Sequence, residues 1–163
     1  ARAPAGGLFR WLSSPGVALS VTLCIYVTHL IFHWVLVPMT KRGQGDARSL
    51  LHGSFGNACV HYLTPWLTVL QWLLYQDKTG LTVRHAAAWL VLPLTYFAYA
   101  MLRAATGKPI GDTGDLYPYP FLDLPRLGAK RFTGWVVLIL TAFFLLGCLF
   151  LAAAHLLSAA AHP

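Results

Sequence analysis

The 163 residues are 57% hydrophobic and 10% charged, with 12 Lys and Arg against 5 acids, all of them Asp, and a net charge of +7. A soluble domain carries about 25% charged residues, so that class is excluded. The cations flank apolar runs and form no basic face with interleaved aromatics. This excludes nucleic acid as a partner and fits loops anchored at anionic lipid headgroups.

Taken in order, the first sixteen residues are mostly small, with Arg2, Arg10 and an interfacial Trp11. Ser14 followed by Pro15 has the pattern of a helix start, with serine as N-cap and proline in the first turn. An apolar run follows over 16–37, interrupted only by small polar residues and by His29 and His33. At 1.5 Å per residue it is about 30 Å long, enough to cross a bilayer. A second span is expected over 56–75, kinked at Pro65. A tight turn at Gly80 returns the chain to a third span over 85–102, which contains Pro93. Residues 104–131 read as a long loop whose alternating prolines and aromatics favour extended backbone. The fourth span is expected over 132–157. Cys24, Cys59 and Cys148 lie inside these apolar runs without CxxC spacing and read as buried thiols.

The expected fold is therefore an all-α integral membrane protein. It is one polytopic helical bundle over 1–163, with four transmembrane spans. The first and third loops hold Lys41, Arg42, Arg48, Arg103, Lys108, Arg126, Lys130 and Arg131, whereas the opposite side holds Arg2, Arg10, Lys78 and Arg84. This asymmetry places the two longer loops on the cytoplasmic side.

Polar groups at membrane depth are costly and mark candidate sites. Asn57 and His61 stand four residues apart and share a helix face. His33, Tyr96, Tyr99 and Arg103 fall toward the same end of neighbouring spans, where the loop carrying Asp115, Tyr117, Tyr119 and Asp123 also emerges. One polar cavity bounded by spans one to three is expected there, with the loop as its lid. Three chemistries compete for it. His61, oriented by Asn57, suits a general base, with Arg103, His33, Tyr117, Tyr119 and Asp123 around a lipid substrate. His29, His33 and His61, on two helices, also suit a b-type haem. The third reading is interhelical hydrogen bonding with no reaction. No His/Cys spacing calls for a metal site, and no cofactor motif is present.

Asn57, His61 and Pro65, then Trp72 to Tyr75, and the run Leu116-Tyr117-Pro118-Tyr119-Pro120-Phe121-Leu122-Asp123 together resemble the androgen-induced and androgen-dependent family of integral membrane proteins and its bacterial relatives. The likeness runs from about Ser14 to Leu157 and corresponds to the last four of the family's six helices. Animal members hydrolyse fatty acid esters of hydroxy fatty acids with a threonine nucleophile and a histidine. The resemblance implies that His61 is that histidine, and it offers no counterpart for the threonine, which lies on an earlier helix. It implies a multi-pass protein of a bacterial inner membrane, with membrane lipids as partners and lipid-ester hydrolysis as the activity. The alternative is a non-catalytic subunit packed in a larger membrane assembly.

Overall fold

A computed structural model describes residues 7–38, 55–110 and 114–161, and every regular element among them is helical. The loop cations Lys41, Arg42 and Arg48, together with Arg2, lie outside the described residues.

Helix α1, Gly7–Leu12, is a short exposed turn that precedes the first span. Helix α2, Pro15–Ile31, starts where the Ser14-Pro15 pair predicts: the Val17 N–H donates to Ser14 Oγ at 3.4 Å, and Pro15 occupies the first turn. It continues through a π turn, Phe32–Leu36. Helix α3, Phe55–Ala58, a second π turn, Cys59–Leu63, and α4, Thr64–Tyr75, form one continuous rod over 55–75. The connection to the next rod is built by Asp77, whose Oδ1 accepts from both the N–H and the hydroxyl of Thr79 at 2.8 and 2.6 Å. Gly80 then supplies the positive φ of 75° that the turn needs.

Helices α5, Val83–Ala88, and α6, Val91–Ala105, are two parts of one rod, interrupted at Trp89 and Leu90. Pro93 causes the interruption. It has no N–H for the Trp89 carbonyl four residues earlier, and that carbonyl accepts from the Leu92 N–H at 3.1 Å instead. Helix α7, Leu124–Ala161, follows a 3-10 turn at Pro120–Leu122 and is broken at Gly128, where φ is 72° and ψ 158°. Its start corrects the expectation of loop as far as residue 131. Asp123 caps the helix, its Oδ1 accepting from the Arg126 N–H at 3.1 Å and its carbonyl from the Leu127 N–H at 3.0 Å. Arg126 is therefore in the first turn after the cap, and Lys130 and Arg131 are helical beyond the break at Gly128.

Three rods are long and apolar enough to cross a membrane: Pro15–Leu36, Val83–Ala105 and Leu124–Ala159. Their outward side chains, including Leu102, Leu149 and Leu156, are well exposed. Apolar flanks of that extent are stable against lipid and not against water. The rod over 55–75 is about 30 Å long, but Asn57, His61 and Gln71 make it more polar than the other three.

The rods alternate in direction, and their tightest packing lies at one end of the bundle. Leu19 and Leu23 of α2, Val69 and Trp72 of α4, Ala86 of α5 with Trp89, and Phe150, Leu151 and Ala154 of α7 form a single buried cluster. Small residues permit the close approach. A Cβ on Gly147 would stand 2.9 Å from Trp89 Nε1 and 3.2 Å from Ala86 Cα. One on Gly16 would meet the His85 ring at 2.5 Å. That ring is itself held, because His85 Nδ1 accepts from the Thr82 N–H at 3.1 Å at the start of α5. The indole nitrogens of Trp72 and Trp89 have no hydrogen-bond partner among the described residues. Packing therefore holds these rings, aided at Trp72 by the Lys78 ammonium 5.1 Å above it.

Candidate functional site

At the opposite end, α2 and the rod over 55–75 are joined by histidines. Each rod contains a π turn, and each π turn ends two residues before a proline: Leu36 before Pro38, and Leu63 before Pro65. A proline ring clashes with the carbonyl four residues earlier and provides no N–H to it. Widening the preceding turn relieves that clash. In the π turns the Val37 N–H donates to the Phe32 carbonyl, and the Thr64 N–H to the Cys59 carbonyl. Such turns recur at functional sites.

The proline at 65 has a second consequence. Its α-helical acceptor would be the His61 carbonyl, and that oxygen is reached from the other helix: His29 Nδ1–H donates to it at 2.8 Å. His29 is buried. With its Nδ1 committed as a donor, His29 carries its lone pair on Nε2. The His61 ring lies flat on Phe32, with centroids 4.0 Å apart and planes within 5°, and its Nδ1 is covered without a partner among the described residues. His33 stands one turn beyond His29, with ring centroids 5.8 Å apart, and is exposed; its Nδ1 pairs with the Tyr62 hydroxyl at 3.3 Å. Tyr62 and Trp66 meet the His29 ring edge-on at 5.2 and 5.7 Å. A haem placed between His33 and His61 would have to displace this stack. Among the described residues no group of three or more His, Cys, Asp or Glu side chains is arranged to hold a metal ion.

The predicted loop residues form a different region. Arg103 turns its guanidinium onto the loop itself, donating to the carbonyls of Leu116, Lys108 and Pro109 at 3.2, 3.0 and 2.8 Å. Gly107, at φ 70°, ends α6 and starts the fold-back. The Ile110 N–H to Asp115 carbonyl bond, at 2.7 Å, narrows the loop further on. Tyr119 and Phe121 stack across Pro120 with centroids 5.0 Å apart. Tyr119 reaches Tyr96 of α6, and Phe121 reaches Trp135 of α7. Burial, and then the neighbouring Tyr96 hydroxyl, pushes the Tyr119 phenol up to about 12. Asp123 serves as the cap of α7.

The sequence-predicted residues thus divide into two groups. His33 and His61 meet in the α2–α4 seam, with Asn57 one turn before His61 on the same rod. Arg103, Tyr119 and Asp123 organise the loop over α6 and α7, and Tyr117 lies within that loop. The ring contacts of the aromatic turn are with α6 and α7, not with the histidines. Sequence reasoning placed His29 in the haem reading of this cluster and left it out of the acid–base set. The signal that would have included it is the proline at 65, which releases the carbonyl at 61 for a donor on another helix. The Thr22, Thr28 and Thr68 hydroxyls donate to carbonyls four residues back in their own helices. The chain matches no protein-family model, no curated protein and no solved structure.

Proposed function

We propose that the protein is a four-span membrane protein whose histidine seam performs acid–base chemistry on a lipid ester. The rod over 55–75 is the fourth crossing. Its support is packing: Trp72 and Val69 bury one face against α2 and α7, and Leu67, Leu70 and Leu74 face outward. A polar helix crosses a bilayer when its polar groups find partners inside the bundle, as the His61 carbonyl does.

The observation that carries the chemistry is the bond from His29 Nδ1 to the His61 carbonyl. It orients one imidazole at membrane depth and leaves Nε2 as a proton acceptor. In this reading His29 is the base and His61 the residue that positions it through its carbonyl. The Thr22, Thr28 and Thr68 hydroxyls are bonded within their own helices, and this reading takes water as the nucleophile. His29 Nε2 takes a proton from water as its oxygen attacks the ester carbonyl. The leaving alkoxide then takes the proton back, giving one acid and one alcohol.

Purified protein in nanodiscs, supplied with a fluorogenic acyl ester and with a fatty acid ester of a hydroxy fatty acid, tests this. His29→Asn places an amide donor where Nδ1 stands, so the bond to the His61 carbonyl survives and the base is lost. The expected result is turnover by the unaltered protein and at least a hundredfold less in His29→Asn, within the range that general base catalysis contributes, roughly 10²–10⁴. Absence of turnover by the unaltered protein sinks the enzyme reading. Equal turnover in His29→Asn with loss in His61→Ala returns the base role to His61. A Soret band in the same preparation would favour haem over hydrolysis.

A further inference from the structure

Beneath the aromatic turn lies a cavity of about 90 Å³ between α6 and α7, walled by Tyr96, Phe97, Tyr119, Phe121, Ile139 and Phe143 among others. We infer that this cavity is a binding site for the end of a single alkyl chain taken up from the surrounding lipid. The inference rests on α6 and α7 crossing the bilayer and not on ester hydrolysis.

Chemistry, size and surroundings agree on this occupant. No Lys, Arg, His or Asp lines the cavity, so a charged end would be left there without a counter-charge. The volume is below the roughly 150 Å³ of an apolar protein cavity that takes up benzene. It therefore accommodates a few methylenes and excludes a fused ring system. The helices that form it are membrane-length and apolar, and Leu94 of the wall and Val137 and Leu138 beside it are exposed. The medium at the mouth is therefore lipid hydrocarbon. The cavity is also built to persist. Pro93 sits in its wall next to the break at Trp89 and Leu90, and the turn that roofs it belongs to the loop that Arg103 holds through three carbonyls.

The test uses the whole chain in nanodiscs with a diazirine at the terminal carbon of one alkyl chain. One arm carries the label on a phosphatidylcholine acyl chain, the other on a free fatty acid, and labelled peptides are mapped after irradiation. Expected is a several-fold excess of label at Phe97, Ile139 and Phe143 over the outward-facing Leu102 and Leu149. That excess should disappear in Ile139→Trp, which fills the space, or in Leu140→Phe should the tryptophan variant misfold. The arm in which the excess occurs identifies the source of the chain, and either arm supports the site. Label spread evenly over all outward faces in both arms overturns it, as does an excess that persists in a folded cavity-filling variant. His29→Asn, which removes the proposed base, should label as the unaltered protein does, which separates this result from the fate of the hydrolase reading.

Discussion

The two ends of the bundle are built by different means. At one, the four rods converge on Trp72, Trp89 and Phe150 with glycine and alanine between them, and two indole nitrogens go without hydrogen-bond partners among the described residues. At the other, Pro65 frees the His61 carbonyl for His29, and Arg103 gathers the loop carbonyls. The closed end holds the rods together through many contacts worth about 0.1–0.2 kcal/mol per atom pair. The open end has a few directed hydrogen bonds, among them one from an imidazole on one helix to a carbonyl on another. The difference teaches where chemistry is affordable: a bundle tolerates π turns and released carbonyls at one end when close packing secures the other.

The largest expected effect comes from attacking the closed end. Gly147→Ala drives a methyl group to within 2.9 Å of Trp89 Nε1 and 3.2 Å of the Ala86 backbone. Trp89 is buried and in ring contact with Phe143, so the helix pair must separate. Overpacking of this kind costs about 1–3 kcal/mol, and thermal unfolding followed by circular dichroism in detergent should show it as a lowered Tm of the whole protein. An unchanged Tm would mean that the closed end does not hold the bundle.

Arg103→Ala strikes the open end and should remain local. It removes three hydrogen bonds from a charged donor, two of them solvent-exposed, so water replaces much of what is lost and the net cost should be below about 1 kcal/mol. Hydrogen exchange of residues 114–119 should accelerate while that of α2 and α4 is unchanged. Faster exchange in the histidine seam as well would show that the two regions of the open end are coupled.

Pro65→Ala restores an N–H that competes with His29 for the His61 carbonyl. The global stability should change by less than about 1 kcal/mol, because the new helical bond replaces the interhelical one. The imidazole ¹⁵N shifts of His29 should lose the pure Nδ1–H tautomer. Retention of that tautomer would mean that proline does not create the seam.

The smallest effect at neutral pH is a pH dependence that shows itself only in alkali. The folded chain raises the Tyr119 phenol from 10.0 to about 12, so folding favours the neutral form. The resulting stabilisation is complete below pH 10 and is lost as pH rises through 12. Spectrophotometric titration should show Tyr119 ionising late, and Tyr119→Phe should remove one late-ionising phenol.

Hydrophobic run length and helix punctuation account for most of what was legible beforehand. The start of α2 at Ser14 and Pro15, the turn at Gly80 and the helical character throughout follow from local rules, because a cap or a positive φ is satisfied within a few residues of chain. Membrane length follows in the same way from composition. Asp123 was less legible: read as a site residue in a loop, it is the cap that starts α7 early.

Only the tertiary structure decided which polar groups meet. Sequence placed His33, His61, Arg103 and Tyr119 at one end of the bundle, but depth along an axis does not specify which neighbour each helix faces. The fold sent the histidines into the α2–α4 seam and the aromatic turn onto α6 and α7. The role of His29 was equally hidden, since an imidazole on one helix and a carbonyl released by proline on another become partners only once the helices pack. Run length and capping are properties of a chain segment, whereas a hydrogen bond between helices is a property of their arrangement.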